Sequence, residues 1–287
     1  MKSFCFLATM ALACLVSLAP ARAAEKITVA AAADLKFAMD EIIASFKASH
    51  SADEIDVTYG SSGNLSTRIQ QGAPFDIFFS ADVGFARALK DKGLAATEPK
   101  LYAVGRIVLW SAVRDASKMS LRDLDDRRIR GIAIANLKHA PYGRRAEEAL
   151  RALGLWDRLQ NKIVFGENIV HTAKYVQSGA VEMGIIALSL AVNRELASKG
   201  GYALIADNLH SPLEQAYVIT KQGREKPLAK AFAAYLENPD ARRIMIKYGF
   251  VLPSDSAAPQ KPEEGLLTRT NQLQPPGSLG KQLSPFR

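Results

Sequence analysis

The stretch KITVAAAADLKFAMDEI, Lys26 to Ile42, passes from strand to amphipathic helix within one residue. Ile27, Val29 and the run Ala30 to Ala33 read as a strand packed on both faces, whereas Leu35, Met39, Ile42, Ile43 and Phe46 recur at helical spacing. Asp34 stands at the junction and reads as an N-cap. A strand that runs straight into a helix start, lined by small alanines, leaves unpaired backbone N–H groups at the carboxyl edge of a sheet, where the helix dipole favours negative charge. Such an arrangement suits an oxyanion.

A second stretch of this kind is VTYGSSGNLSTRIQQ, Val57 to Gln71, in which a strand ends in a Gly-Ser-Ser-Gly-Asn turn and a helix begins. Gly60 and Gly63 permit close backbone approach, while Ser61, Ser62 and Asn64 offer hydroxyl and amide donors. Two helix starts facing one cavity would hold a small anion without a lysine or arginine. The serines are equally readable as plain helix caps.

These blocks, with GAPFDIFFSAD (Gly72 to Asp82), PYGRRAEEALRALG (Pro141 to Gly154), GENI (Gly166 to Ile169) and KYGF (Lys247 to Phe250), resemble the periplasmic molybdate-binding proteins of ABC transporters, the ModA type. The likeness runs in order over residues 25 to 252. It implies an α/β protein with the two-lobed periplasmic binding protein fold (type II), each lobe a mixed, mostly parallel sheet with flanking helices. The first lobe is then residues 25–105 and 215–252, and the second 106–214. The implied function is capture of molybdate, with tungstate, and delivery to an ABC membrane permease.

Length and composition are compatible with that picture. A chain of 287 residues, 48% hydrophobic, can bury the cores of two compact lobes. The pattern of strand, turn and helix repeats along it. Strands are expected at 27–32, 55–59, 77–80, 106–112, 132–135, 183–186, 204–206 and 216–220, and helices at 83–92, 144–153, 170–178, 188–198 and 227–237. Pro227 suits a first helical turn, and Gly93 and Gly154 suit left-handed helix ends.

The N-terminus reads as a secretory signal peptide, residues 1–23: Lys2, an apolar run from Phe4 to Leu18, then small residues ending at Ala23. The mature chain is expected to start at Ala24, in the periplasm. Cys5 and Cys14, the only two cysteines, fall inside this leader, so the mature protein would hold no thiol. Cys14 makes a poor lipoprotein acceptor, because Ala11-Leu12-Ala13 lacks a large aliphatic at its first place and apolar residues continue beyond it. Residues 253–287 hold six of the chain's 13 prolines with few apolar residues and read as a disordered tail.

The net charge is +8, but the densest charged run, Arg122 to Arg130, mixes both signs, which argues for a solvated surface and against nucleic acid. The four histidines, His50, His139, His171 and His210, show no nucleophile or metal-ligand spacing. A hydrolytic enzyme built on Ser62 would need a base that the sequence does not place beside it. A binding protein for sulfate, phosphate or a small organic anion is the nearer alternative.

The resemblance also implies a ligand shell. The family's serine or threonine after the alanine run falls on Asp34, and its second-loop serine on Ser62; backbone N–H donors fall on Tyr142 and Ile169. Ser61 and Asn64 are secondary candidates, and the tyrosine that some members add is Ala187 here. Molybdenum would be held only as its oxyanion, with no cofactor, in a chain that works as a monomer. Asp34 departs from the pattern, because a carboxylate near a dianion is repulsive by several kcal/mol at ~4 Å and an effective dielectric near 20. Its side chain would turn away to cap its own helix, or be held protonated, or coordinate the metal centre; the cap is the preferred expectation. The Tyr142 phenol could replace the hydroxyl missing at Ala187.

Overall fold

The computed structural model describes residues 24–253; the leader and the C-terminal tail expected above lie outside them. The elements follow in chain order as β1 (Lys26–Ala32), α1 (Lys36–Lys47), β2 (Glu54–Gly60), α2 (Ser62–Gln70), β3 (Ile77–Ser80), α3 (Val83–Asp91) and β4 (Lys100–Gly105). Then come β5 (Ile107–Trp110), β6 (Ile132–Ala135), α4 (Pro141–Ala152), α5 (Trp156–Leu159), β7 (Ile163–Gly166), α6 (Ile169–Gln177), β8 (Met183–Ala187), α7 (Leu188–Ala191), α8 (Arg194–Ala197) and β9 (Tyr202–Leu204). The chain closes with β10 (Leu213–Ile219), α9 (Pro227–Tyr235) and α10 (Pro239–Lys247).

Two five-stranded sheets result, in the orders β2-β1-β3-β10-β4 and β7-β6-β8-β5-β9. β2, β1 and β3 are parallel, β10 pairs antiparallel with both β3 and β4, and β5 does the same between β8 and β9. One strand in each sheet therefore runs against the other four. Those two, β5 and β10, are the strands on which the chain enters each sheet after crossing from the other. Only Arg106 separates β4 from β5, so the first crossing is a single residue long.

Burial explains the central strands. Every residue of β3, β5, β6 and β8 is buried, as expected for strands covered by helices on both faces. The edge strand β2 instead packs Ile55, Val57 and Tyr59 inward, and Lys26 on β1 forms ion pairs with its Glu54 and Asp56. Helix α1 lays Ala38, Met39, Ile42 and Phe46 on the first sheet, where Phe46, Phe79 and Phe232 meet edge to face. Trp110 anchors the core of the second lobe.

Four differences from the sequence reading have local causes. β4 and β7 were not expected: both are edge strands, and Leu101, Val164 and Phe165 stay exposed, so neither shows a buried periodicity. Helix α10 was also not expected, because its sequence PDARRIMIK is largely polar; the Asn238 side chain starts it by accepting from the Asp240 N–H. The single helix expected over 188–198 is two, since Asn193 accepts from the Glu195 N–H and caps a new helix there. β10 begins at Leu213, before the expected 216, because its first residues pair with Gly105 to Ala103 of β4. Gly93 and Gly154 do adopt left-handed φ, 63° and 67°.

Candidate functional site

The carboxyl ends of β1, β2, β3, β6, β7 and β8 all point to the contact between the lobes, the position where open α/β sheets place ligands. A narrow cavity of about 10 Å³ lies there, walled from the first lobe by Ala32 to Asp34, Gly60 to Ser62 and Ala81, and from the second by Ala140 to Tyr142 and Ile169. The alanines keep the walls close to the backbone. Asp34, Ser61, Ser62, Tyr142 and Ile169 thus line one space, whereas Asn64 and Ala187 do not. Asn64 lies half-buried a further step along α2, and Ala187 ends β8 inside the second core.

Three helices of at least nine residues start at this cavity: α2, α4 and α6. Their first-turn N–H groups have no intrahelical acceptor. On α4, Pro141 occupies the first position and contributes no N–H, and the Ala140 carbonyl takes those of Gly143 and Arg144, which leaves Tyr142. On α6, Asn168 Oδ1 accepts from Val170 and His171 at 3.0 Å each, which leaves Ile169. Two backbone donors from the second lobe therefore face the cavity with helix dipoles behind them.

The serines of α2 are not side-chain caps. Ser61 occupies the N-cap position without a side-chain cap bond; its Oγ lies 2.9 Å from His139 Nδ1 across the lobe contact. Ser62, fully buried, accepts the Ala81 N–H on Oγ at 2.9 Å, so its own hydroxyl proton remains to be donated.

Asp34 overturns the preferred expectation of a cap. The chain makes a short 3-10 turn at Ala33–Leu35 before α1, and no side-chain cap bond forms at the start of either element. The carboxyl is instead buried at the lobe contact, where Oδ2 accepts the Tyr142 hydroxyl at 2.9 Å and Gln215 Nε2 at 2.7 Å. Gln215 Nε2 also donates to Tyr142 Oη at 3.1 Å, and its Oε1 accepts the Tyr102 hydroxyl at 2.7 Å. The Ser189 hydroxyl donates to the Asp34 carbonyl at 2.7 Å. The Tyr142 phenol is thereby committed to Asp34 and does not replace the hydroxyl absent at Ala187.

Burial pushes the Asp34 carboxyl up to about 6, against the opposing effect of the Gln215 and Tyr142 hydrogen bonds and, less strongly, of the backbone N–H groups of Asp34 and Leu35. Burial and the neighbouring Asp34 charge push the phenols of Tyr142 and Tyr102 upward as well. Behind the network stands Gly105, where a Cβ would fall on Tyr142 Oη and Gln215 Nε2 and displace both from their hydrogen bonds.

The sequence reading missed Gln215, Tyr102 and Ser189. Their only signal was a glutamine among apolar residues of a strand, LEQAYVI, and its bonding partners are far away in sequence. Beside the cavity a wider cleft, sharing Ala33 with it, carries Lys36, His171, Lys174 and Glu195 on its walls. Among the described residues no cluster of three His, Cys, Asp or Glu side chains is arranged to hold a metal cation, and no helix is long and apolar enough to cross a membrane.

Residues 27–251 match the bacterial extracellular solute-binding protein family. The chain is 35% identical to the molybdate-binding protein ModA of Rhodobacter capsulatus, over 84% of this chain and 94% of that one. It is 33% identical to ModA of Azotobacter vinelandii, over 82% and 93%. The solved periplasmic molybdate-binding protein of Azotobacter vinelandii superposes with a TM-score of 0.75 at 31% identity, over 79% of this chain and 99% of that chain. The chain belongs to the family of bacterial extracellular solute-binding proteins and, within it, to the ModA type.

Proposed function

We propose that this chain captures molybdate, and tungstate with it, in the periplasm and hands it to an ABC permease, as a monomer that needs no cofactor and performs no catalysis. One observation carries the reading. The cavity lies between two lobes and, beside the Asp34 carboxyl, is lined by uncharged donors, the Ser62 hydroxyl and the N–H groups of Tyr142 and Ile169, at the starts of three helices. Donors of this kind hold a small anion without the desolvation cost of a buried cation. Relatives named for molybdate binding support the choice of anion.

Selectivity would follow from size. Metal–oxygen bonds in molybdate and tungstate are longer than the bonds of sulfate and phosphate, so a cavity fitted to the larger ions leaves donors unpaired around the smaller ones. A second reading has one observation in its favour: an ionised Asp34 would accept from a protonated anion such as hydrogen phosphate. Calorimetric titration of the mature protein with molybdate, tungstate, sulfate and phosphate, with metal analysis of the purified complex, tests both. Tight binding confined to molybdate and tungstate is expected; preference for sulfate or phosphate would overturn it.

A further inference from the structure

Asp34 Oδ1 is buried, has no hydrogen-bond partner among the described residues, and belongs to a side chain that walls the cavity. Oδ2 is fully occupied by the Tyr142 hydroxyl and the Gln215 amide. The atom without a partner is therefore the one left to meet the ligand. A carboxylate there would set a full negative charge, on a buried side chain, against an oxyanion, and repulsion between partly desolvated charges is strong.

Among the described residues no cation pairs with it. From α4, Arg144 and Arg145 reach to Asp82 at 3.5 and 3.7 Å; from α1, Lys36 pairs with Asp40 at 2.8 Å. His139, in the loop before α4, is held by Ser61, and His171 on α6 lies 3.4 Å from Glu167. β4 presents the Tyr102 phenol through Gln215, α4 the Tyr142 phenol, and α7 the Ser189 hydroxyl. Among the described residues Asp34 forms no ion pair, and the groups around it are neutral hydrogen-bond donors.

Resting on the reading of the cavity as an oxyanion site, we propose that capture of the anion is coupled to uptake of one proton by Asp34, whose Oδ1 then donates to the bound oxyanion. The proton comes from solvent and no covalent bond to the ligand forms. Donor and acceptor roles then close completely: Oδ2 accepts twice, Oδ1–H donates once, and the cavity becomes a shell of donors alone. The raised pKa of the carboxyl in the closed protein, about 6 before any anion is present, means that little work is needed to protonate it, and a bound anion raises it further. Asp34 is in this way a specificity determinant, because protonation removes the acceptor on which a hydrogen-bearing anion would depend.

The test is a proton count. Wild-type protein is titrated with molybdate by calorimetry in two buffers of different ionisation enthalpy, at pH values from about 6.5 to 8.5 where the oxyanion stays fully deprotonated. Expected are an uptake that approaches one proton per anion as pH rises and an affinity that weakens toward about tenfold per pH unit. In Asp34→Asn the amide reproduces the protonated carboxyl, with its oxygen toward Tyr142 and Gln215 and its N–H toward the cavity. It should bind with no proton uptake and a flat pH profile, and more tightly than wild type at the upper end. Wild-type binding without proton uptake overturns the inference while leaving the oxyanion site standing. So does uptake that survives in Asp34→Asn, which would assign it to another group, and so does weaker molybdate binding by that variant with a changed X-ray absorption edge, which would mean coordination of the metal. Absence of any binding by wild type at every pH removes both this inference and the reading of the site.

Discussion

The Gly63 amide donates to the His139 carbonyl at 2.9 Å, a backbone hydrogen bond that joins the start of α2 in one lobe to the loop before α4 in the other. The contact is so close that a Cβ on Gly63 would lie 2.7 Å from His139 Cβ and 2.8 Å from its Cα. Gly63→Ala should therefore hold the lobes apart while leaving the first lobe intact, since alanine is the better helix residue by about 0.5–1 kcal/mol. Molybdate affinity is expected to drop by about 3 kcal/mol or more, roughly a hundredfold, through loss of the Tyr142 and Ile169 donors. Thermal stability without ligand should be equal or slightly higher. Unchanged affinity would mean that this contact plays no part in the bound state.

Ser62→Ala removes a hydroxyl and also strands the Ala81 N–H that it accepts. If the hydroxyl proton serves the anion, affinity should weaken by about 1.5–3 kcal/mol, the range for a hydrogen bond to a charged group. Ser61→Ala is the comparison. It loses only the bond to His139, at the partly buried rim of the contact, and should weaken binding less. Equal losses in the two variants would place the ligand elsewhere in the cavity.

Much of this was legible in the sequence because it is local. The strand-to-helix switch at Asp34 and the Gly-Ser-Ser-Gly turn each occupy a few consecutive residues, and their small side chains mark where backbone must approach something. What could not be read was the direction of the Asp34 side chain. A helix cap is decided by residues two or three places away, but here the outcome depends on Tyr142, Gln215 and Ser189, which lie 108 to 181 residues distant. Two donors on one carboxylate oxygen outweigh one local cap. The same holds for β4 and β7, whose pairing partners, and not their own pattern, make them strands.

Gln215 holds the network together by donating to Asp34 and Tyr142 while accepting from Tyr102. Gln215→Leu removes the amide and leaves the buried Tyr102 hydroxyl with only the long bond to the Ser80 carbonyl, 3.4 Å, and Asp34 Oδ2 with a single donor. A loss of about 1–3 kcal/mol in unfolding free energy is expected from denaturant titration. Because the Gln215 hydrogen bond favours the ionised carboxyl, its removal should also move the Asp34 pKa further upward. A neutral substitution would show that water replaces the amide.

The pH dependence of stability in the ligand-free protein follows from the same carboxyl. Its pKa in the closed fold is raised from 3.8 to about 6, with burial the leading cause. The folded state then binds the proton more tightly than the unfolded chain, so the stability that protonation contributes is fully present below pH 3.8 and is lost as pH rises through about 6. A shift of this size corresponds to about 3 kcal/mol for the closed form. Asp34→Asn, which cannot titrate, isolates the effect from all other groups. The variant should be more stable than wild type near pH 7, and the difference should shrink by up to about 3 kcal/mol as the pH of parallel denaturant titrations is lowered toward 4. A difference that stays constant across this window would show that the carboxyl is hydrated in the ligand-free protein, with the lobes open and the Tyr142 contact to Asp34 broken.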